Sequence, residues 1–190
     1  MSQMFRYNVL VTLDRNYLKV LRTMLYSLSQ SDSTGIFTVY VAHNSLTEDD
    51  FAALQAVLPR TELIDVPLSE EMFQDAPIFD RYPKEMYYRL FAAQYLPQEL
   101  DRILYLDPDL VVINSLRSLY EIDFGDNLFA AASHIESRTF KNFNRRRLHL
   151  SEQARYINSG VMMMNLSLKV KVFSIHQNLM LRQKKVEHIQ

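Results

Sequence analysis

Residues 102–113 constrain this chain more than any other stretch, because they hold two carboxylates, Asp107 and Asp109, between two apolar runs. The first run predicts a buried strand, and side chains two residues apart in extended backbone point to the same side. The two carboxylates can therefore converge on one point at the edge of a core. Pro108 has no N–H group, so it predicts that strand pairing stops there and that the acidic pair turns outward.

Two carboxylates placed this closely repel each other, so the pair predicts a bound divalent cation unless one of them is protonated. Oxygen ligands favour Mg or Mn over Zn. Binding sites of open α/β sheets also lie at the carboxyl ends of strands. The alternative is a strand-to-turn junction with two solvated Asp side chains, since Asp and Pro both form turns. The metal site is the preferred interpretation.

Strand and helix patterns alternate along the first part of the chain. Three apolar segments predict strands: residues 7–13, 36–42 and 61–66. Residues 17–28 carry a helical apolar stripe that begins with Tyr17, and Thr47 with Asp50 forms a capping box for a second helix. Short connections between these elements predict an α/β fold, a mostly parallel central sheet with helices on both faces.

The turn after the first predicted strand carries Asp14, Asn16 and Tyr17. This turn would lie at the carboxyl edge of the sheet, where a nucleobase could stack on Tyr17 and hydrogen-bond with Asp14. Two alternatives stay open. Asp14 or Asn16 can cap the following helix, and Tyr17 can belong to the buried stripe of that helix.

Arg89 and Asn158 are the remaining candidates. Arg89 is the one cation in the middle of residues 84–96, a helical pattern that is apolar on nearly every side and therefore predicted to be buried. A buried guanidinium needs an anionic or multiply accepting partner. This partner is either an Asp, or a ligand phosphate or sugar hydroxyl near the acidic pair. The amide of Asn158 can donate to and accept from a ligand, or it can serve a turn with Ser159 and Gly160.

Composition excludes several classes of protein. The chain has no cysteine, so it has neither disulfides nor a thiolate metal site, as is typical of a reducing compartment. No apolar run approaches the roughly 20 residues of a membrane span, and residues 1–7 lack the apolar core of a signal peptide. A cytoplasmic location follows. The slightly acidic body argues against a nucleic-acid partner.

The scarcity of glycine bears on any diphosphate ligand. The chain contains only Gly35, Gly125 and Gly160, which are too far apart to form a phosphate-cradling loop. If a diphosphate binds, its charge would have to be neutralised by a metal on Asp107 and Asp109.

Four blocks of the sequence resemble family 8 glycosyltransferases, the group that includes glycogenin and bacterial lipopolysaccharide galactosyl- and glucosyltransferases. They occur in the family's order: residues 9–17, 84–90, 102–112 and 156–166. The resemblance implies a GT-A-like nucleotide-diphospho-sugar transferase fold and a metal-dependent hexosyltransferase that retains the anomeric configuration. The implied donor is UDP-glucose or UDP-galactose. The implied acceptor is a saccharide or glycolipid in lipopolysaccharide or other cell-surface glycan synthesis.

The resemblance also implies a role for each matching residue. The residues that would hold the nucleotide-sugar are Thr12, Asp14, Asn16, Tyr17, Arg89, Asp107 and Asn158. Within this set, Tyr17 would stack on uracil, Arg89 would contact the donor sugar and diphosphate, and Asn158 would bond a sugar hydroxyl. The implied catalytic residues are Arg89, Asp107, Asp109 and Asn158. Asp107 and Asp109 would bind Mn (or Mg), a Lewis acid that can stabilise the UDP leaving group.

By the same resemblance, residues 1–166 form the catalytic domain and residues 167–190 form a basic tail, with five Lys or Arg and one Glu. The family continues with an acidic-glutamine segment and a His-x-x-Gly-x-x-Lys block, and neither occurs here. We therefore expect truncation or a changed reading frame after Leu166, with UDP binding retained and transfer impaired. The tail predicts at most peripheral association with the inner face of the plasma membrane.

Two interpretations from other classes remain. Asp107 and the residues after it also fit the Asp-x-Asp-x-Val pattern of haloacid-dehalogenase-like phosphatases, in which the first Asp is the nucleophile. That motif usually lies on the first strand, whereas residues 1–106 precede it here. The other interpretation is a non-catalytic remnant that binds nucleotide-sugars.

Overall fold

The computed structural model describes residues 4–56, 58, 60–73, 88–133 and 157–168. The strands are β1 (Arg6–Leu13), β2 (Ile36–His43), β3 (Thr61–Pro67), β4 (Arg102–Leu106), β5 (Phe129–Ser133) and β6 (Ile157–Asn165). They form a six-stranded sheet in the order β3-β2-β1-β4-β6-β5. The first three pairs in this order are parallel, and β6 is antiparallel to both β4 and β5. The predicted α/β class with a mostly parallel sheet is confirmed.

Helices cover both faces of this sheet. The α-helices are α1 (Leu18–Ser31), α2 (Glu48–Gln55), α3 (Ala92–Tyr95) and α4 (Arg117–Tyr120). Short 3-10 turns are formed by Arg15–Tyr17, Glu70–Phe73, Arg89–Phe91 and Leu166–Leu168. One face of the sheet packs on α1 and α2, and the opposite face packs on the segment around α3. Alternate residues of β1 and β4 therefore face different cores, and Tyr105 belongs to the α3 side.

The start of α2 follows the prediction, whereas the start of α1 does not. The Thr47 side chain accepts from the Asp50 N–H, and the Asp50 carboxylate accepts from the Thr47 N–H, which completes the capping box. The buried stripe of α1 begins at Leu21. Tyr17 is 46% exposed, because it ends a 3-10 turn before α1 begins and lies outside the helical period. The assignment of Tyr17 to the stripe was wrong.

The predicted helix over residues 84–96 falls partly outside the described residues, which resume at Tyr88. From there the chain forms the 3-10 turn Arg89–Phe91 and then the single turn of α3, in place of one continuous helix. Leu96 is extended because Pro97 follows it. Tyr88 and Phe91 are buried as expected, but Leu90 is exposed, so this segment is apolar on one side only.

The apolar run after the acidic pair is only partly buried. Val111 is 61% exposed and Ile113 is 81% exposed. The chain turns at Pro108 and Asp109, and within residues 110–113 Leu110 and Val112 contact the core. The Val112 N–H donates to the Ser27 hydroxyl on α1 at 2.9 Å, which fixes this segment on the helix that follows β1.

A buried tyrosine, an aspartate and a glycine form a structural cluster at the start of the sheet: Tyr7, Asp32 and Gly35. The Tyr7 hydroxyl donates to Asp32 Oδ2 at 2.7 Å. A Cβ on Gly35 would lie 2.7 Å from the Tyr7 ring, so glycine is required there. The Tyr7 hydrogen bond and bonds from Thr34 lower the pKa of Asp32 to about 2, and burial with the Asp32 contact raises the pKa of Tyr7 to about 12.

We expect Asp32→Asn to remove a pH-dependent part of the stability. The folded pKa of Asp32 is below its usual value of 3.8, so its charge contributes stability above about pH 4 that is lost as pH falls toward 2. The wild-type advantage in free energy of unfolding should therefore be full at pH 6 and shrink below about pH 4. Urea titrations of both proteins at several pH values measure this, and a constant difference would contradict it.

Candidate functional site

The candidate site lies at the carboxyl edge of the neighbouring parallel strands β1 and β4. Their register pairs Leu10 with Tyr105, so two residues further on Thr12 is set beside Asp107. As predicted, β4 ends directly before Asp107, and Pro108 and Asp109 form a turn. The hydrogen bonding between β4 and β6 extends one residue beyond β4, because the Asp107 N–H donates to the Gly160 carbonyl at 2.8 Å.

The carboxylate of Asp107 is held on one oxygen. Oδ1 accepts the Tyr105 hydroxyl at 2.6 Å and contacts Arg89 Nη1 at 3.0 Å. Oδ2 lies over Gly160, where a Cβ would approach it to 2.5 Å. We call Tyr105, Asp107 and Gly160 the site cluster. Among the described residues, the hydrogen-bonding partners of this carboxylate are all on Oδ1, so Oδ2 is directed into the space that the glycine leaves.

Arg89 is buried against the site cluster. Its side chain is 8% exposed, its Nη1 also donates to the Ser159 carbonyl at 3.0 Å, and its guanidinium lies 4.3 Å from the centre of the Tyr105 ring. An Asp was one of the partners predicted for Arg89, and the structure contains this ion pair, between Arg89 and Asp107. Arg89 thereby joins the segment before α3 to β4 and β6.

Tyr105 is a site residue that the sequence analysis missed. It is fully buried, and its hydroxyl lies 3.1 Å from Thr12 Oγ1. Because this hydroxyl donates to Asp107, the Thr12 hydroxyl donates to Tyr105. Burial raises the pKa of Tyr105 above its usual value, the nearby Arg89 opposes that shift, and Asp107 reinforces it. The signal was available, since residues two apart on a strand share a face.

The turn after β1 is formed as the capping interpretation predicted. Asp14 caps the 3-10 turn, with its Oδ1 accepting the Asn16 N–H at 2.8 Å. Its Oδ2 accepts the side-chain amide of Asn16 at 3.2 Å. Tyr17 follows at the base of α1 with an exposed ring. Capping does not prevent these side chains from meeting a ligand at the same edge, and their nucleotide role stays a prediction.

Asn158 and Asp109 border the site on the exposed side. Asn158 Oδ1 accepts the Gly160 N–H at 2.9 Å. Asn158, Ser159 and Gly160 belong to β6 and do not form the turn that precedes the strand in the alternative interpretation. Asp109 is exposed. Within the residues that the structure describes, no three His, Cys, Asp or Glu side chains cluster as a ready metal site. The ligand roles of Asn158 and Asp109 stay predictions.

These features define a GT-A glycosyltransferase fold: the sheet order, the antiparallel β6, and the acidic residues in the turns that follow β1 and β4. The family described as Glycosyl transferase family 8 matches residues 8–187. The chain belongs to this family. The match includes most of the predicted basic tail, of which only residues 167 and 168 are described, and the boundary at residue 166 stays a prediction.

Individual relatives agree with the family assignment. The chain is 26% identical to a lipopolysaccharide 1,2-glucosyltransferase of Escherichia coli over 84% of its own length and 48% of the relative. It is 32% identical to the glycosyltransferase GlyD of Streptococcus pneumoniae, over 67% of the chain and 16% of that protein. The chain thus spans about half or less of these curated relatives.

The fold is similar to a solved structure of the galactosyltransferase LgtC in complex with donor and acceptor sugar analogs. The TM-score is 0.78 at 24% identity, with 94% of this chain and 65% of LgtC covered.

Among the described residues, no helix is long and apolar enough to cross a membrane.

Proposed function

We propose that this chain forms the nucleotide-sugar site of a retaining glycosyltransferase that moves glucose or galactose from a UDP-sugar to a saccharide or glycolipid acceptor. The observation that carries the proposal is Asp107 at the sheet edge of a family 8 chain: Tyr105 and Arg89 hold Oδ1, and Oδ2 has no hydrogen-bonding partner among the described residues. The relatives include lipopolysaccharide glucosyl- and galactosyltransferases, which supports a role in cell-surface glycan synthesis. We extend the proposal to a cytoplasmic protein, associated at most peripherally with the membrane.

The residues present fit a divalent cation. Oδ2 of Asp107 lies over Gly160 and has no hydrogen-bonding partner among the described residues, and Asp109 follows in the adjoining turn. Mg and Mn are commonly bound by one or two carboxylates together with substrate phosphates, which suits a pair of Asp side chains and a diphosphate. When bound, such an ion would stabilise the negative charge that develops on UDP.

The chain's own residues would position the donor. Asp14, Asn16 and Tyr17 lie on the turn after β1, where the exposed Tyr17 ring can stack on uracil. Arg89, whose buried guanidinium contacts Oδ1 of Asp107 at 3.0 Å, would contact the donor sugar and the diphosphate, as the family resemblance implies. Asn158 would present its amide to a sugar hydroxyl, and Thr12 would act from the end of β1.

Titration with UDP in the presence of Mn, and again in EDTA, tests the metal-dependent site. We expect UDP to bind only with Mn. The chain is then incubated with Mn and UDP-glucose or UDP-galactose, and separately with a generic phosphatase substrate. Release or transfer of hexose supports the proposal, whereas equal UDP affinity in EDTA contradicts the metal part of it.

The same assay separates the two alternatives. Phosphate release would favour the phosphatase, in which Asp107 is the nucleophile. The family match over the acidic pair argues against that alternative. Binding of UDP without release or transfer of hexose would favour a non-catalytic remnant.

Tyr17→Ala is expected to weaken UDP binding by about tenfold, because base stacking on an aromatic ring contributes about 1 to 3 kcal/mol. The melting temperature should change little, since the ring is exposed. Tyr26→Ala is the matched control, because Tyr26 is another exposed tyrosine, on α1. Calorimetry with UDP and Mn measures the affinities, and equal losses in both variants would argue against stacking on Tyr17.

A further inference from the structure

Tyr105 lies on the same face of β4 as Asp107 and reaches it with its hydroxyl. The hydroxyl donates to Oδ1 at 2.6 Å, and Arg89 contacts the same oxygen at 3.0 Å. Two donors on one oxygen leave the other oxygen as the acceptor that a ligand can use. Tyr105 is itself fixed, because its ring is fully buried and its hydroxyl is hydrogen-bonded to Thr12.

Gly160 fixes the direction of the second oxygen. A Cβ on residue 160 would lie only 2.5 Å from Oδ2, so this oxygen uses space that the glycine leaves. The Asp107 N–H donates to the Gly160 carbonyl at 2.8 Å. The backbone bond sets the position of Asp107, and the Tyr105 hydroxyl sets the rotation of its carboxylate. A carboxylate free to rotate would have to be ordered by each cation that binds, at an entropic cost.

We propose that Tyr105 is a positioning residue for the divalent cation: its hydroxyl holds Oδ1 of Asp107 so that Oδ2 is presented as the metal-binding oxygen. The inference rests on the proposed function, since it assigns the metal of that same site. Hydrogen bonds from neighbouring groups to metal ligands typically change metal affinity by about 10- to 100-fold. The Thr12 hydroxyl is hydrogen-bonded to the Tyr105 hydroxyl, which in turn donates to Asp107 Oδ1, so the three side chains form one chain of hydrogen bonds.

Tyr105→Phe removes only the hydroxyl. We expect Mn affinity at saturating UDP to fall by about tenfold, measured by titrating Mn and following heat or the electron paramagnetic resonance signal of free Mn. Tyr7→Phe is the matched control, because Tyr7 is also fully buried and donates to a carboxylate, Asp32, at 2.7 Å. Tyr7→Phe should lower the melting temperature to a similar extent and leave Mn affinity unchanged.

The outcomes separate the inference from the function. If the wild type binds Mn with UDP and Tyr105→Phe binds it equally well, the inference is overturned and the proposed function stands. If the wild type does not bind Mn with UDP, the metal-dependent function fails and the inference fails with it. Equal Mn losses in Tyr105→Phe and Tyr7→Phe would also overturn it, as a general stability effect.

A second variant covers the case in which Tyr105→Phe does not fold. Thr12→Val keeps the side-chain shape and removes the hydroxyl behind Tyr105. A smaller loss of Mn affinity in the same direction is the expected result, and unchanged Mn affinity would overturn the inference.

Discussion

Asp107→Asn is expected to abolish Mn-dependent UDP binding and hexose transfer. The substitution keeps the side-chain size but removes the negative charge from Oδ2, the oxygen that points into the space over Gly160. Loss of an outer partner of a metal ligand already costs about 10- to 100-fold in affinity, so loss of the charged ligand should cost about a hundredfold or more. Calorimetry with Mn and UDP, followed by a transfer assay, measures both effects.

The same substitution should also lower the stability, because Arg89 loses its carboxylate partner while it stays 8% exposed. Removing one partner of such an ion pair costs about 2 to 3 kcal/mol after allowance for the partial exposure of Asp107. Asp32→Asn is the matched control, since Asp32 also accepts a buried tyrosine hydroxyl. Binding that survives in Asp107→Asn, per folded molecule, would contradict the proposed metal site.

Gly160→Ala is expected to reduce Mn-dependent UDP binding and hexose transfer about as much as Asp107→Asn does. The cause here is a steric clash with the Asp107 carboxylate. The backbone of Gly160 is not in the left-handed region, so alanine adds no backbone strain. Its Cβ would stand 2.5 Å from Oδ2 and 3.2 Å from the Asn158 oxygen, so the carboxylate must rotate away. A misplacement of about 1 Å at a reacting site can cost about a hundredfold in rate.

Gly35→Ala provides the control for this steric argument. A Cβ there would meet the Tyr7 ring at 2.7 Å and Asp32 at 3.2 Å, which disturbs the structural cluster as Gly160→Ala disturbs the site cluster. Gly35→Ala should lower the melting temperature and leave Mn-dependent UDP affinity unchanged per folded molecule. If Gly160→Ala binds Mn and UDP as the wild type does, Oδ2 is not the metal-binding oxygen.

Local patterns were sufficient for the parallel half of the sheet. The strand that ends before Asp107 could be read from an apolar run and a proline, and the capping box of Thr47 and Asp50 from two side chains three residues apart. These features depend on neighbours within a few residues, so the sequence contains them directly. The family resemblance then supplied the GT-A fold, which the sheet and its structural relatives confirm.

The failures share a different cause. Tyr17 matched a helical period, but it belongs to the 3-10 turn before α1 and its side chain is exposed. Val111 and Ile113 belong to the apolar run after the acidic pair, but their side chains are exposed beyond the turn at Asp109. The contact of Tyr105 with Asp107 follows from their spacing, but its hydrogen bond with Thr12 joins two different strands. Each of these outcomes is set by tertiary packing, which single-sequence periodicity does not report.

The position of β6 has a consequence for the order in which the site is assembled. β6 enters the sheet between β4 and β5, and it supplies the carbonyl that holds the Asp107 N–H and the glycine beneath its carboxylate. Strand pairing between distant parts of a chain forms slowly, because the loop between the strands must close first. A chain in which only β1 to β4 have folded therefore has the acidic pair without its support from β6. In the proposed site, nucleotide affinity would therefore report completion of the whole sheet, and a mutation in β6 would abolish binding through incomplete folding alone.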